Sequence, residues 1–285
     1  MTIPHETGKV RSGDVSLFYR KIPGRNRGQA PILIVHGLSY FSWDWLEVAD
    51  ALAADRDVLC MDMRGFGDSD WSAKKDYAVP TMAQDIVNIL DHAGWKRAVL
   101  IGHSMGGRST TYVAAKHSAR IAALALIDYT PENAPAGTKR TTEKVAGVPD
   151  KFASIDEAMN YFGQKNRARF EQYLKPVEGG FILKRDTHFR DQFKRVLETG
   201  ERPKLGVDMW QLIGEVRCPI LSMRGSRSDM YAPETRDKMK GANARVQIVE
   251  VDAGHNIAGD NPQGFLGAIR PFLAAMEKSH EHPGH

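Results

Sequence analysis

The residues equipped for chemistry sit at a few glycine-flanked positions, and Ser104 is the first of them. It lies in Gly102-His103-Ser104-Met105-Gly106-Gly107, where the apolar run Val99-Leu100-Ile101 stops abruptly. The spacing Gly-x-Ser-x-Gly suits a buried strand that delivers Ser104 into a cramped turn, because a side chain at either glycine would collide with a neighbouring strand or helix. The helix expected from Gly106 to about His117 then points its amides and the positive end of its dipole at the serine. A serine hydroxyl is a weak nucleophile at neutral pH and needs an imidazole to take its proton during attack. His255 is the candidate base, in a loop that Gly254 leaves free to turn back. The imidazole needs a carboxylate to fix its tautomer and to stabilise its protonated form. Asp229, just past a strand ending at Gly225, is the first choice, and Asp128, at the end of the strand after Ser104, is the alternative.

These positions have to be held by a scaffold, and the chain alternates strand and helix patterns around them. Val10, Val15, Leu17 and Tyr19 alternate with polar residues about a Ser12-Gly13-Asp14 turn, which reads as a hairpin. The continuous apolar run at 31–35 suits a strand buried on both faces, and further strands are read at 58–63, 99–101, 121–127, 219–225 and 246–251. Helical spacing marks 43–53, 80–92, 106–117, 233–240 and 262–277. Such alternation implies a mostly parallel sheet with right-handed crossovers, helices on both faces, and a ligand site at the carboxyl ends of the strands. From 131 to 205 the rhythm fails, and the segment reads as short helices around turns at 177–180 and 202–203. A long excursion inside a compact domain is usually a lid or binding element. The expected division is a core of 1–130 and 206–285 with a helical lid at 131–205.

Composition narrows the function classes. The chain has 285 residues, 42% hydrophobic and 26% charged, with a formal net charge of +4, values ordinary for a globular protein. Its basic residues are scattered without interleaved aromatics, so nucleic acid is not an expected partner. Two cysteines, Cys60 and Cys218, each lie in an apolar run and are expected to be reduced, buried thiols. No apolar run approaches a membrane-spanning length, and residues 1–8 lack a secretory pattern, so a cytoplasmic location is expected. The histidines at 280, 282 and 285 read as a frayed end, with no metal site implied. No dinucleotide fingerprint or phosphate loop is present, and no cofactor is expected. A small-molecule substrate is the partner implied, with no membrane, and a homodimer is left open.

Four motifs taken together, His36-Gly37-Leu38, Arg64-Gly65-x-Gly67-x-Ser69, Gly102-His103-Ser104-Met105-Gly106-Gly107 and Gly254-His255, resemble the α/β-hydrolase superfamily. The likeness runs from Gly8 to Glu277 and is greatest to the branch with a helical lid inserted after the sixth strand. It implies an eight-stranded, mostly parallel sheet and a serine hydrolase acting on an ester, lactone or amide. The chain order serine, aspartate, histidine favours Asp229, while some relatives carry the acid at the position of Asp128. The resemblance also assigns the backbone amides of Leu38 and Met105 to an oxyanion hole. Trp43, Trp45, Met105 and Tyr129 are candidate pocket residues, each equally readable as core. Arg108 either anchors an anionic substrate group or pairs across its own helix, the second reading having the edge. His36 and His103 read as structural, and His92, His117 and His188 as helix or lid surface. A serine at the elbow disfavours epoxide hydrolase and dehalogenase chemistry, which uses an aspartate there. Carbon-carbon bond hydrolysis of a ring-fission diketone is the alternative reaction, and a small-molecule receptor on the same fold the non-enzymic one.

Overall fold

The computed structural model describes residues 3–281. Apolar runs become strands where the sequence places them: β1 (Glu6–Ser12), β2 (Val15–Ile22), β3 (Ile32–Val35), β4 (Val58–Met61), β5 (Ala98–His103) and β6 (Ile121–Ile127). Two short strands, β7 (Leu174–Val177) and β8 (Gly180–Leu183), precede β9 (Ile220–Gly225) and β10 (Val246–Val251). The main sheet has eight strands in the order β1-β2-β4-β3-β5-β6-β9-β10. Pairing is antiparallel for β1 with β2 and β2 with β4, and parallel from β4 onward. β3, β4, β5, β6 and β9 are buried along their whole length, as strands covered by helices on both faces must be.

Two apolar layers flank this sheet. One gathers Leu33, Leu59, Leu100 and Leu124 under the helices Val79–His92, Met105–Lys116 and Met209–Glu215. The other gathers Ile34, Cys60, Ile101 and Ala125 under Leu46–Leu52 and Pro262–Glu281. Successive strand residues point to opposite faces, so each strand feeds both layers. Cys60 and Cys218 are buried free thiols. Between β3 and β5 the strand order reverses direction, and such a switch opens a crevice at the carboxyl ends. Ser104 follows β5 directly.

The segment between β6 and β9 is an insertion with a small core of its own. Helices Pro135–Ala146, Ile155–Phe162, Arg167–Tyr173 and Thr187–Thr199 surround the β7-β8 hairpin. Val148, Phe152, Phe170, Tyr173, Leu174 and Leu183 pack together with Phe41 from the main body. The hairpin corrects the all-helical expectation for this segment. Four residues on each side of a two-residue turn are too few to show an alternating pattern, and Pro176 masks the first strand. Ion pairs fasten the insertion to the main body: Arg169 to Asp44 at 2.6 Å, Lys184 to Asp68 at 2.6 Å, and Lys75 to Asp186 at 2.8 Å. Among the described residues no helix is long and apolar enough to cross a membrane. Of the histidine-bearing tail, 282–285 lie outside the described residues.

Candidate active site

Ser104 occupies φ 50°, ψ −116° as the residue preceding helix Met105–Lys116. A non-glycine residue at positive φ costs about 1–3 kcal/mol and persists only where its surroundings impose it. Here they do. The Ser104 amide donates to the Ile127 carbonyl at 3.1 Å, and its carbonyl accepts from the Gly107 amide at 2.9 Å. A Cβ on Gly102 would stand 2.9 Å from the Gly107 Cα, and one on Gly106 would collide with the carbonyls of Val35 and His36. The two glycines thus allow helix and sheet to approach closely enough to force the turn.

Strand register decides which carboxylate stands beside it. The last rung between β5 and β6 pairs His103 with Ile127, so Ser104 and Asp128 each step off the sheet one residue later, on adjacent strands. Asp128 also has a positive φ, 45°. Its side chain is fully buried, where it accepts from the Gly225 amide at 2.9 Å and from the Ser228 hydroxyl. His255 completes the set: its Nδ1 lies 2.6 Å from Asp128 Oδ2. The histidine gets there because the chain after β10 folds back across the end of β9. The amides of Ser226 and Arg227 donate to the carbonyls of Val251 and Ala253 at 2.8 and 2.9 Å, and Gly254 passes so close to Gly225 that a Cβ there would not fit.

The carboxylate on His255 is therefore Asp128, which corrects the expectation of Asp229. Asp229 lies further along the loop after β9 and holds Arg140 of the insertion in a two-bond pair at 2.6 and 2.8 Å. That bond, ahead of opposing burial, holds its carboxyl below the usual carboxylate range.

Residues 30–262 match the family model described as alpha/beta hydrolase fold. The chain belongs to this family. It is 31% identical to Esterase YbfF of Escherichia coli over 249 residues, 86% of this chain and 93% of that one. It is 29% identical to 3-hydroxybutyrate-oligomer hydrolase of Cupriavidus necator over 245 residues, 79% and 82% of the two chains. Among solved structures, that of E-2-(acetamidomethylene)succinate hydrolase superposes with a TM-score of 0.82 at 23% identity, covering 95% of this chain and 100% of the other.

In this α/β-hydrolase, Ser104 and His255 face a cavity of about 2240 Å³ between the sheet's carboxyl edge and the insertion. Leu38 and Met105 line it too, and among the described residues neither backbone amide donates to a protein acceptor. Met105 opens its helix, where an amide has no intrahelical partner. Trp43, Tyr129 and Arg108 also line the cavity, whereas Trp45 is buried core against Phe265 and His103. His188 is not mere surface: it stands on the cavity wall beside Tyr77.

His36 and His103 support the site from within. His36 is buried, with Nδ1 2.7 Å from the Gly37 carbonyl and Nε2 accepting from the Met63 amide at 3.0 Å. Burial pulls its pKa down to about 4, so it stays neutral. His103 reaches the His255 carbonyl with Nε2 at 3.0 Å, and burial keeps it neutral as well; its ring lies tilted against that of His255, 4.8 Å between centroids. It fixes the backbone of the loop that carries the base. Ser228 escaped the sequence reading, since a serine in a Ser/Arg-rich loop carries no pattern that distinguishes it.

Proposed function

We propose that this chain is a serine hydrolase that cleaves a carboxylic ester, lactone or amide of a small molecule through an acyl-enzyme. Ser104 Oγ attacks the carbonyl carbon while His255 Nε2 accepts the hydroxyl proton, and Asp128 holds Nδ1–H so that Nε2 is free to accept. The amides of Leu38 and Met105 donate to the oxygen that becomes negative in the tetrahedral intermediate. Its collapse breaks the bond to the leaving oxygen or nitrogen, which takes the proton from His255. Water then attacks the acyl carbon, giving a proton to the same imidazole; collapse breaks the bond to Ser104 Oγ, which takes that proton back from His255, and the acid leaves. The insertion serves as the lid that selects the substrate.

The observation that carries this reading is the 2.6 Å contact of His255 Nδ1 with a buried Asp128, in the cavity that Ser104 faces from a strained turn. Relatives named as esterase and oligomer hydrolase favour ester cleavage, and the succinate hydrolase extends the class to amide-like bonds. A fluorophosphonate should label Ser104 alone, and Ser104→Ala should abolish turnover of p-nitrophenyl butyrate. Wild-type rates in that variant would refute the reading. Turnover of a ring-fission diketone in place of esters and amides would move the assignment to carbon-carbon bond hydrolysis.

A further inference from the structure

We propose that Arg108 and the Tyr129 hydroxyl form a carboxylate-binding subsite, so that the compound cleaved at Ser104 carries a free carboxylate near its scissile carbonyl. The inference rests on the serine-hydrolase reading and names its substrate class.

Arg108 lies in the first turn of the helix that Ser104 precedes, and both residues line the cavity. Its neighbours at three and four residues along the helix are Ser104, Met105, Thr111 and Tyr112, none of them acidic, so pairing across the helix is not available to it. Among the described residues Arg108 makes no ion pair and no hydrogen bond. Of the other arginines of the cavity wall, three are engaged, Arg140 with Asp229, Arg169 with Asp44 and Arg227 with Asp252, while Arg202 stands near Arg108 and adds to the positive charge there.

Arg108 is half-buried in the cavity wall, and a guanidinium partly withdrawn from water without a counter-charge is penalised. Burial, chiefly, lowers the pKa of Arg108; the Tyr129 phenol opposes this and Arg202 adds to it. Tyr129 is the second independent sign. It is only 3% exposed and lines the same cavity, yet its hydroxyl has no partner among the described residues. A buried phenol without a partner is left with an uncompensated loss of hydration. The Tyr129 ring packs on Gly107, the residue before Arg108, so two unpaired donor groups share one stretch of cavity wall beside the nucleophile, and together they fit one planar anion: a carboxylate takes the guanidinium fork with its two oxygens and accepts from the phenol as well. A neutral acyl chain would leave both donors desolvated. Because Arg108 follows the nucleophile by only four residues, the acid arm is a short one, such as that of a succinyl or glutaryl monoester.

The test compares monoethyl succinate and monoethyl glutarate with ethyl butyrate by proton release at pH 7. The native protein should favour an acid ester by tenfold or more in kcat/KM. Arg108→Gln should cut the acid-to-neutral ratio at least tenfold, Arg108→Lys should retain part of it, and Tyr129→Phe should lower it severalfold. Because the ratio is internal to each protein, partial loss of folded enzyme does not mimic the effect. Calorimetric titration of succinate into the native protein and into the Ser104→Ala variant reads the subsite without turnover, and millimolar or tighter binding is expected. No preference for the acid esters together with no succinate binding overturns the proposal, as does a preference that survives Arg108→Gln. Loss of Ser104 labelling would instead refute the hydrolase reading, while Arg108-dependent succinate binding would still stand.

Discussion

Replacing Asp128 by asparagine separates the two candidate acids. The carboxylate accepts on both sides: Oδ1 from the Gly225 amide at 2.9 Å, and Oδ2 from His255 Nδ1 at 2.6 Å and from Ser228. An amide has one acceptor oxygen, so one side must present N–H. Turned toward Gly225, that N–H meets a fixed, buried backbone donor, at a cost of about 1–3 kcal/mol. Turned toward His255, it forces Nδ1 to become the acceptor, which moves the ring proton to Nε2, where the base must be empty. The second arrangement leaves the fold satisfied and the imidazole in the wrong tautomer. The expected loss in kcat is about 10³–10⁴-fold with little change in melting temperature.

Asp229→Asn breaks the pair with Arg140 instead, whose side chains are 36% and 50% exposed. An ion pair that open to solvent contributes about 0–1 kcal/mol, so kcat/KM should fall no more than about fivefold. Steady-state hydrolysis of p-nitrophenyl butyrate by the two purified variants reads the difference directly. An Asp229→Asn loss equal to that of Asp128→Asn would refute the geometric assignment, whatever the absolute rates.

Ser228→Ala removes one donor from the Asp128 carboxylate and should lower kcat about tenfold without affecting labelling of Ser104, measured with the same ester and the fluorophosphonate. Gly106→Ala drives a methyl against the carbonyls of Val35 and His36, and thermal denaturation should show a loss of more than about 2 kcal/mol. His36 should make stability pH-dependent. Its pKa falls from 6.5 to about 4 on folding, so the unfolded chain binds the extra proton between those values. The contribution, about 3 kcal/mol by linkage, is complete above pH 6.5 and is lost as pH falls toward 4. Chemical denaturation at pH 7 and 5 should show the decline, and His36→Asn should flatten part of it.

The eight strands of the main sheet, the elbow and its helix were legible because each rests on a local rule: apolar runs ending at glycine, and a serine between two glycines where backbone passes close. Asp128 and Asp229 could not be ranked that way. Both follow strands and precede His255, and what separates them is the offset between β5 and β6, set by pairing across the sheet. Trp45 was unreadable for a similar reason, since an aromatic after a strand faces cavity or core according to the helix packed over it, here Pro262–Glu281 through Phe265. Arg108 shows the reverse. The absence of acids at helical spacing around it was in the sequence, but only the folded cavity shows that, among the described residues, no carboxylate from elsewhere pairs with it.

Ser104 and Asp128 leave adjacent strands at the same height and both at positive φ. In each case the sheet keeps its hold on the amide, Ser104 N–H to the Ile127 carbonyl at 3.1 Å and Asp128 N–H to the Met223 carbonyl at 2.7 Å, while the residue itself turns out of the plane. Neighbouring strands are about 4.8 Å apart, so the two side chains start close together and only the histidine must travel. It does so by crossing the end of β9, and that crossing decides the use of the loop that follows β9. Ser228 turns inward to Asp128, and Asp229, the next residue, turns outward to Arg140. One short loop therefore steadies the proposed acid with a hydroxyl and ties down the insertion with a carboxylate.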